Sequence, residues 1–402
     1  MQGNYLTTFV KKIFKSETTG GVFLLIATIL ALVFQNSSLM HNFYHFILEF
    51  PIVIGIGDYV LDKPFEFWVN DALMAIFFFS IGLELKREMI EGQLKHFSQV
   101  FLPSFAALGG VIFPAIIFSI INWGNEFAMR GWAIPTATDI AFAVGVLAIL
   151  GKRIPSSLKI FILTLAIMDD LCAIVIIALF YSTSLNFAFL IGALICTLIL
   201  IFISKKGVDS KGIFILFSII LWICVLNSGV HATIAGVIAG FTIPIYNENN
   251  GTSMLKEMEH SLSIPINFLI LPIFAFVNAG INLQGMSLDY LLSPVPLGIF
   301  AGLFFGKQFG VFLFSYIVIK LKFATLPQNA TWKQLYSIAI ICGIGFTMAL
   351  FVANLAYLPD PLRYHQTDKL AILLASVISG VVGYIVARVF GNNPDGSPKN
   401  HK

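Results

Sequence analysis

Two carboxylates, Asp169 and Asp170, stand side by side in the apolar run LAIMDDLCAIVIIALFY (165–181). A carboxylate at bilayer depth costs at least about 2.5–3.5 kcal/mol on insertion scales, so each needs a reason to be there. Neighbours on a helix point about 100° apart, so the two cannot share one salt-bridge partner, yet both must avoid lipid. They must line a common polar cavity or meet different partners. Such a pair titrates as one coupled system and can exchange protons for a cation at physiological pH. The alternative, in which one Asp ties to Lys307 and the other hydrogen-bonds a neighbouring helix, explains one carboxylate more easily than two.

Few other polar groups fall inside apolar runs: Asp71, Asp139, Lys307 and, more weakly, His231. Asp139 closes the stretch IPTATDIAF (134–142). Pro135 lacks an N–H and disfavours helix at Ile134, so the run should unwind nearby, freeing carbonyls as cation ligands beside the hydroxyls of Thr136 and Thr138. Asp139 at the break can neutralise a half-helix N-terminus, whose partial charge is about +0.5. Irregular backbone at membrane depth is tolerated only where protein or a water-filled cavity satisfies it. A second break candidate is CGIGFT (342–347), where Gly343, Gly345 and Thr347 interrupt an apolar run; glycines there serve close packing equally well.

These groups are positioned by membrane spans. The 402 residues are 58% hydrophobic and 11% charged with mean hydropathy +0.89, against about a quarter charged in soluble proteins. About twelve apolar windows approach the ~20 residues a span needs: 19–36, 66–84, 98–122, 132–150, 157–180, 185–204, 212–227, 229–244, 265–281, 296–320, 335–355 and 369–390. The chain is read as one polytopic domain, 1–402. Of its 24 Lys and Arg, four (Lys63, Arg130, Arg363, Lys369) fall on one side, Lys307 falls inside a span, and the rest share the other side. By the positive-inside rule that other side, with both termini, is cytoplasmic. Lys11, Lys12 and Lys15 precede the first window without a cleavage site after it, so it is read as retained. The four cysteines lie in apolar runs and suggest neither disulfide nor zinc. PIVIGIGDYVLD (51–62) reads equally as an extracytoplasmic β-hairpin, able to pair with a second copy, or as a plain loop.

With that orientation, windows four and eleven run in opposite directions, each flanked by continuous spans. Two broken helices in oppositely oriented triplets, spans 3–5 (98–180) and 10–12 (296–390), form the inverted-repeat pattern of secondary transporters, with the site between the breaks. The expected fold is an all-α integral membrane protein whose broken helices cross near the midplane. Lys307 then supplies the cation that two facing half-helix C-termini need, or it pairs with an Asp.

Five stretches, GWAIPTATDIAFAVGVLA (131–148), LAIMDDLCAIVIIALFY (165–181), SGVHATIAGV (228–237), LPIFAFVNAG (271–280) and CGIGFTMAL (342–350), closely resemble the bacterial sodium/proton antiporters of the NhaA family. The resemblance runs from the first span to Arg388. It implies twelve spans in the bacterial inner membrane and electrogenic exchange, more protons entering than Na+ or Li+ leaving, activated at alkaline pH. It places cation binding on Asp170, with Asp169 as proton carrier or Lys307 partner, and puts Thr138 and Asp139 at the broken helix. It also implies pH-response positions at Glu84, Arg87, Glu88, Glu259 and His260. Span anchoring explains those charges about as well, and His231 is more often a packing residue than a switch. One departure is Ser263, where relatives often carry a second histidine.

The expected mechanism is competition at one site. Na+ binds Asp170, Asp169, Thr138 and backbone carbonyls while protons leave; the spans rearrange, Na+ departs outward and protons rebind. Proton motive force drives the cycle, with Na+, Li+ and H+ as cargo and no cofactor or nucleic acid. Gly302–Gln308 lacks the spacing and the Ser or Thr of a phosphate-binding loop. An aspartyl protease needs carboxylates facing across one water, which adjacent residues cannot easily do, although Asp139 with Asp170 could. A passive cation channel favours symmetric ligand rings and a hydrated path.

Overall fold

The computed structural model describes residues 17–57, 59–95, 97–182, 185–246, 253–358, 360, 363, 364 and 366–397. Lys11, Lys12, Lys15 and Asp58 lie outside them. Among the described residues nine helices are long and apolar enough to cross a membrane. There are ten if Trp332–Ile341 and Phe346–Ala356, bent by 45°, form one span. Lys211–Leu226 and Thr233–Thr242 are apolar but shorter. They occupy two of the twelve windows; the turn between them, with Gly229 at φ +84°, uses up residues that the windows counted as span.

The chain folds as two compact units, one within residues 1–26, 96–173 and 281–402 and one within 27–95 and 174–280. In the second unit, helix Phe65–Ile90 packs on Thr233–Thr242 through glycines. A Cβ on Gly240 would lie 2.6 Å from the Phe79 carbonyl, and one on Gly82 lies 2.7 Å from that of Val237. Small residues let helix backbones touch where lipid supplies no hydrophobic drive for association. The Tyr44 hydroxyl donates to the Phe276 carbonyl at 2.7 Å and ties His41–Glu49 to Leu271–Asn278. Residues 51–64 form a hairpin, β1 (Pro51–Ile56) antiparallel to β2 (Tyr59–Pro64), so the hairpin reading holds over the plain loop. Its turn uses Gly57 at φ +61°, where a side chain would be strained.

In the first unit, Phe97–Ile121 packs against Lys307–Lys320 at a glycine pair, where a Cβ on Gly310 would strike the Gly109 backbone. A Cβ on Gly306 would stand 2.7 Å from the Pro114 Cα, and one on Gly302 as close to the Pro135 ring. These approaches frame a π-helical turn, Gly302–Gly306, directly before Lys307. Such turns insert a residue into the helix and re-aim the side chains that follow.

Candidate functional site

The run Glu126–Arg153 breaks once. A 3₁₀ segment, Arg130–Thr136, carries Pro135 and gives way to extended backbone at Ala137 (φ −87°, ψ 144°). An α-helix resumes at Ile140. The α-helix thus ends at Met129, Ile134 lies in the 3₁₀ segment, and helical backbone gives out altogether two residues after Pro135, near where the proline placed the break. Thr136 turns its hydroxyl back onto the Ala133 carbonyl at 2.8 Å, so only Thr138 offers its hydroxyl to the site. The second break lies between Trp332–Ile341 and Phe346–Ala356. The breaks meet: the Asp139 N–H donates to the Ile344 carbonyl at 2.7 Å. A Cβ on Gly345 would sit 3.1 Å from the Ala137 carbonyl, and one on Gly343 would be 2.6 Å from that of Leu303. Here the glycines are needed for close approach.

Asp139 joins two helix starts. Its Oδ1 accepts the Phe142 N–H at 3.0 Å, capping Ile140–Leu150. Its Oδ2 accepts the Thr347 N–H at 3.0 Å and the Thr347 hydroxyl at 2.5 Å, in the first turn of Phe346–Ala356. One carboxylate thus faces the positive ends of two half-helices and satisfies donors that neither helix can satisfy itself. Both its oxygens are turned to these helix starts.

Asp169 and Lys307 are 1% and 0% exposed, and the ammonium donates to Asp169 Oδ2. Of the two roles open to Lys307 in the sequence, pairing with an Asp is the one observed. The Thr138 hydroxyl lies 2.6 Å from the same Oδ2 and 2.9 Å from the Cys342 carbonyl, and its one proton can serve one acceptor at a time. Asp169 Oδ1 is buried without a hydrogen-bond partner among the described residues. Asp170, also buried, extends from the next helix position. The ensemble offers carboxylate, hydroxyl and carbonyl oxygens to a hard monovalent cation or a proton, with an ammonium as internal counter-charge.

The remaining predicted residues lie in the other unit. Arg87 bridges Glu259 at 2.8 Å and Glu88 at 2.6 Å, with Glu84 in electrostatic range of all three. His260 and Ser263 are exposed and outside this network. His231 lies 3.8 Å from Asp71, which a π-helical turn, Trp68–Leu73, holds in place, and hydrogen-bonds Thr233 at 2.8 Å.

Sequence reasoning left three participants off the site: Thr347, Ser376 and the Cys342 carbonyl. Ser376 Oγ accepts the Phe346 N–H at 3.0 Å. The available signal for Thr347 was a hydroxyl in the first turn after a glycine break. Nothing in the sequence pointed to Ser376, one of two buried serines in the long apolar helix Thr367–Phe390.

A family model described as Na+/H+ antiporter 1 matches residues 11–387. The chain is 65% identical to Na+/H+ antiporter NhaA 1 of Campylobacter hominis, over 97% of this chain and 98% of that one. It is 58% identical to Na+/H+ antiporter NhaA 2 of Campylobacter fetus (96% and 97%) and 48% identical to Na+/H+ antiporter NhaA of Aeromonas salmonicida (94% and 95%).

Proposed function

We propose, from the premise that this chain belongs to the Na+/H+ antiporter 1 family and is a multi-pass Na+/H+ antiporter, a mechanism in which Na+ and protons compete for Asp170 and Asp169. The observation that carries the mechanism is the buried Asp169, held to Lys307 and Thr138 through one oxygen while the other lacks a partner among the described residues. A site with spare acceptor oxygens and its own ammonium can hold protons or a cation on the same carboxylates, and is poorly transferable when empty and charged.

In the inward-open state Na+ or Li+ binds Asp170, Asp169, the Thr138 hydroxyl and carbonyls of the breaks, and protons leave for the cytoplasm. One proton comes from Asp170 and a second from the Asp169–Lys307 pair, so more protons enter than cations leave and the exchange is electrogenic. Asp139 keeps the half-helix ends neutral while the spans rearrange and so is a positioning residue. Rearrangement opens the site outward, Na+ is released and protons rebind under the proton motive force. No step needs a resident cofactor, and the ions are cargo.

The finer architecture belongs to the same proposal: twelve spans in the bacterial inner membrane, both termini cytoplasmic, with inverted repeats at 98–180 and 296–390. The Lys and Arg asymmetry supports the orientation. The cluster of Arg87 with Glu84, Glu88 and Glu259 is the candidate for alkaline activation, with His260 and His231 as weaker members. The hairpin, with Val53, Ile54 and Val60 exposed, is the surface for a homodimer.

The test uses everted vesicles from cells without sodium antiporters of their own, with a respiratory pH gradient read by a weak-base dye. Addition of Na+ or Li+ collapses the gradient at alkaline pH, and Asp170→Asn abolishes the response. Na+ leaving the gradient untouched at every pH would overturn the antiport reading, and an active Asp170→Asn would overturn the assignment of the site.

A further inference from the structure

Five cations of the first unit gather at one end of its helices: Lys152, Arg153, Lys159, Lys320 and Lys333. At that end segments 151–155, 321–331 and 391–397 come together around a cavity of about 730 Å³. Its walls include Lys152, Lys159, Ser156, Ser157, Thr331 and Asn392. Helices Ser156–Phe180 and Trp332–Ile341 both begin there, so their positive ends add to the lysine charge. The acidic residue described at this end is Asp395. Its carboxylate accepts the Ser397 N–H at 2.9 Å and hydroxyl at 2.7 Å and lies in electrostatic range of Lys152. Neither Lys159 nor Lys333 has a carboxylate partner among the described residues.

The neighbouring surface is of opposite character. Phe312, Trp332, Tyr336 and Phe390 line an open apolar groove of about 250 Å³. Phe390 belongs to both walls, and Thr331 of the cavity adjoins Trp332 of the groove. Lys333 stands over the Phe390 ring at 4.8 Å, on the boundary. A basic, hydroxyl-lined cavity continuous with an aromatic groove fits a molecule with an anionic head and an apolar tail.

We propose that this end of the unit is a binding site for an anionic phospholipid, whose phosphate enters the Lys152–Lys159 cavity and whose acyl chain lies on the Phe312–Trp332–Phe390 groove. The excess of lysine charge over the one carboxylate selects the anionic head, and the groove selects a lipid over free phosphate. By clasping segments 151–155, 321–331 and 391–397 the lipid joins the far ends of both broken spans and of the last helix. The site shares no residue with the Asp169–Asp170 centre.

The experiment measures thermal unfolding of the full-length protein in mild detergent, titrated with phosphatidylglycerol, phosphatidylcholine or inorganic phosphate. Phosphatidylglycerol alone should raise the melting temperature saturably. A lysine near an anionic lipid surface contributes about fivefold in affinity, so Lys152→Gln with Lys159→Gln should weaken the half-saturating concentration about 30-fold. Trp332→Ala should weaken phosphatidylglycerol with lysines intact. The control, Lys211→Gln with Lys256→Gln, removes equal charge from carboxylate-paired lysines of the other unit and should leave the titration unchanged. Equal loss in the control would overturn a built site in favour of diffuse attraction. Equal stabilisation by phosphatidylcholine, or by phosphate alone, would overturn the anionic lipid as occupant. Should the double variant prove too unstable to melt cleanly, charge-conserving Lys152→Arg with Lys159→Arg must retain the phosphatidylglycerol effect, and its loss would count against the proposal.

Discussion

Lys307 is the residue whose removal the structure prices most clearly. Its ammonium is fully buried and serves Asp169 Oδ2, while Oδ1 has no partner among the described residues. Replacing Lys307 by Gln leaves the Asp169 carboxylate with the Thr138 hydroxyl, worth about 1.5–3 kcal/mol as a hydrogen bond to a charged group. Breaking one side of a buried pair costs about 3–5 kcal/mol, because the residual charge stays desolvated. Removing both charges is close to neutral. Lys307→Gln should therefore lose about 3–5 kcal/mol, and Asp169→Asn added to it should recover most of that loss. The assay is reversible unfolding of the purified protein in mixed micelles across the four members of the cycle, fitted for coupling free energy. A Lys307→Gln cost below about 1 kcal/mol, or a double variant no better than the single, would refute the picture of one desolvated, mutually dependent pair. Recovered stability should not restore exchange, since the double variant has lost a proton carrier.

Asp139→Asn keeps one acceptor oxygen but sets an amide N–H₂ against the donors of the other half-helix start; with that start uncapped and the charge facing both lost it should cost about 2–5 kcal/mol, and Thr347→Val should cost less in that background than alone. Additive losses on melting would remove Thr347 from the Asp139 interaction. Gly310→Ala places a methyl against the Gly109 backbone and should cost about 1–3 kcal/mol by chemical denaturation, whereas Gly145→Ala, with open space around it, should be near neutral. Arg87→Gln breaks contacts that are partly exposed, so the stability loss should stay within about 1 kcal/mol. If that cluster gates exchange, the pH profile of vesicle activity should nevertheless move, and an unchanged profile would assign the charges to span anchoring. Tyr44→Phe should cost about 1 kcal/mol by losing the bond to the Phe276 carbonyl, with no change in the Na+ dependence of exchange.

The chemistry was legible in the sequence because lipid makes polar residues conspicuous. Asp139, Asp169, Asp170 and Lys307 stand out in apolar runs, and no soluble surface hides them among other charges. The break after Pro135 was legible for the same reason, since a proline and hydroxyls at depth demand internal satisfaction. The pairing was not legible: Lys307 and Asp169 are 138 positions apart. Composition alone allowed the ammonium to face helix C-termini instead. Nor did local signals reveal the π-helical turns before Lys307 and around Asp71, which arise where a helix yields to its neighbours.

The sequence by itself therefore determined that the chain lives in a membrane and which side chains carry charge into its apolar runs, because hydropathy and proline geometry act within a few residues. Tertiary structure decided which oxygen meets which donor. Asp139 became the common cap of two half-helices, Thr136 turned away while Thr138 turned in, and Asp169 kept one oxygen unspent. Those outcomes depend on the approach of distant backbones at Gly343 and Gly345, whose close contacts no stretch of sequence contains on its own.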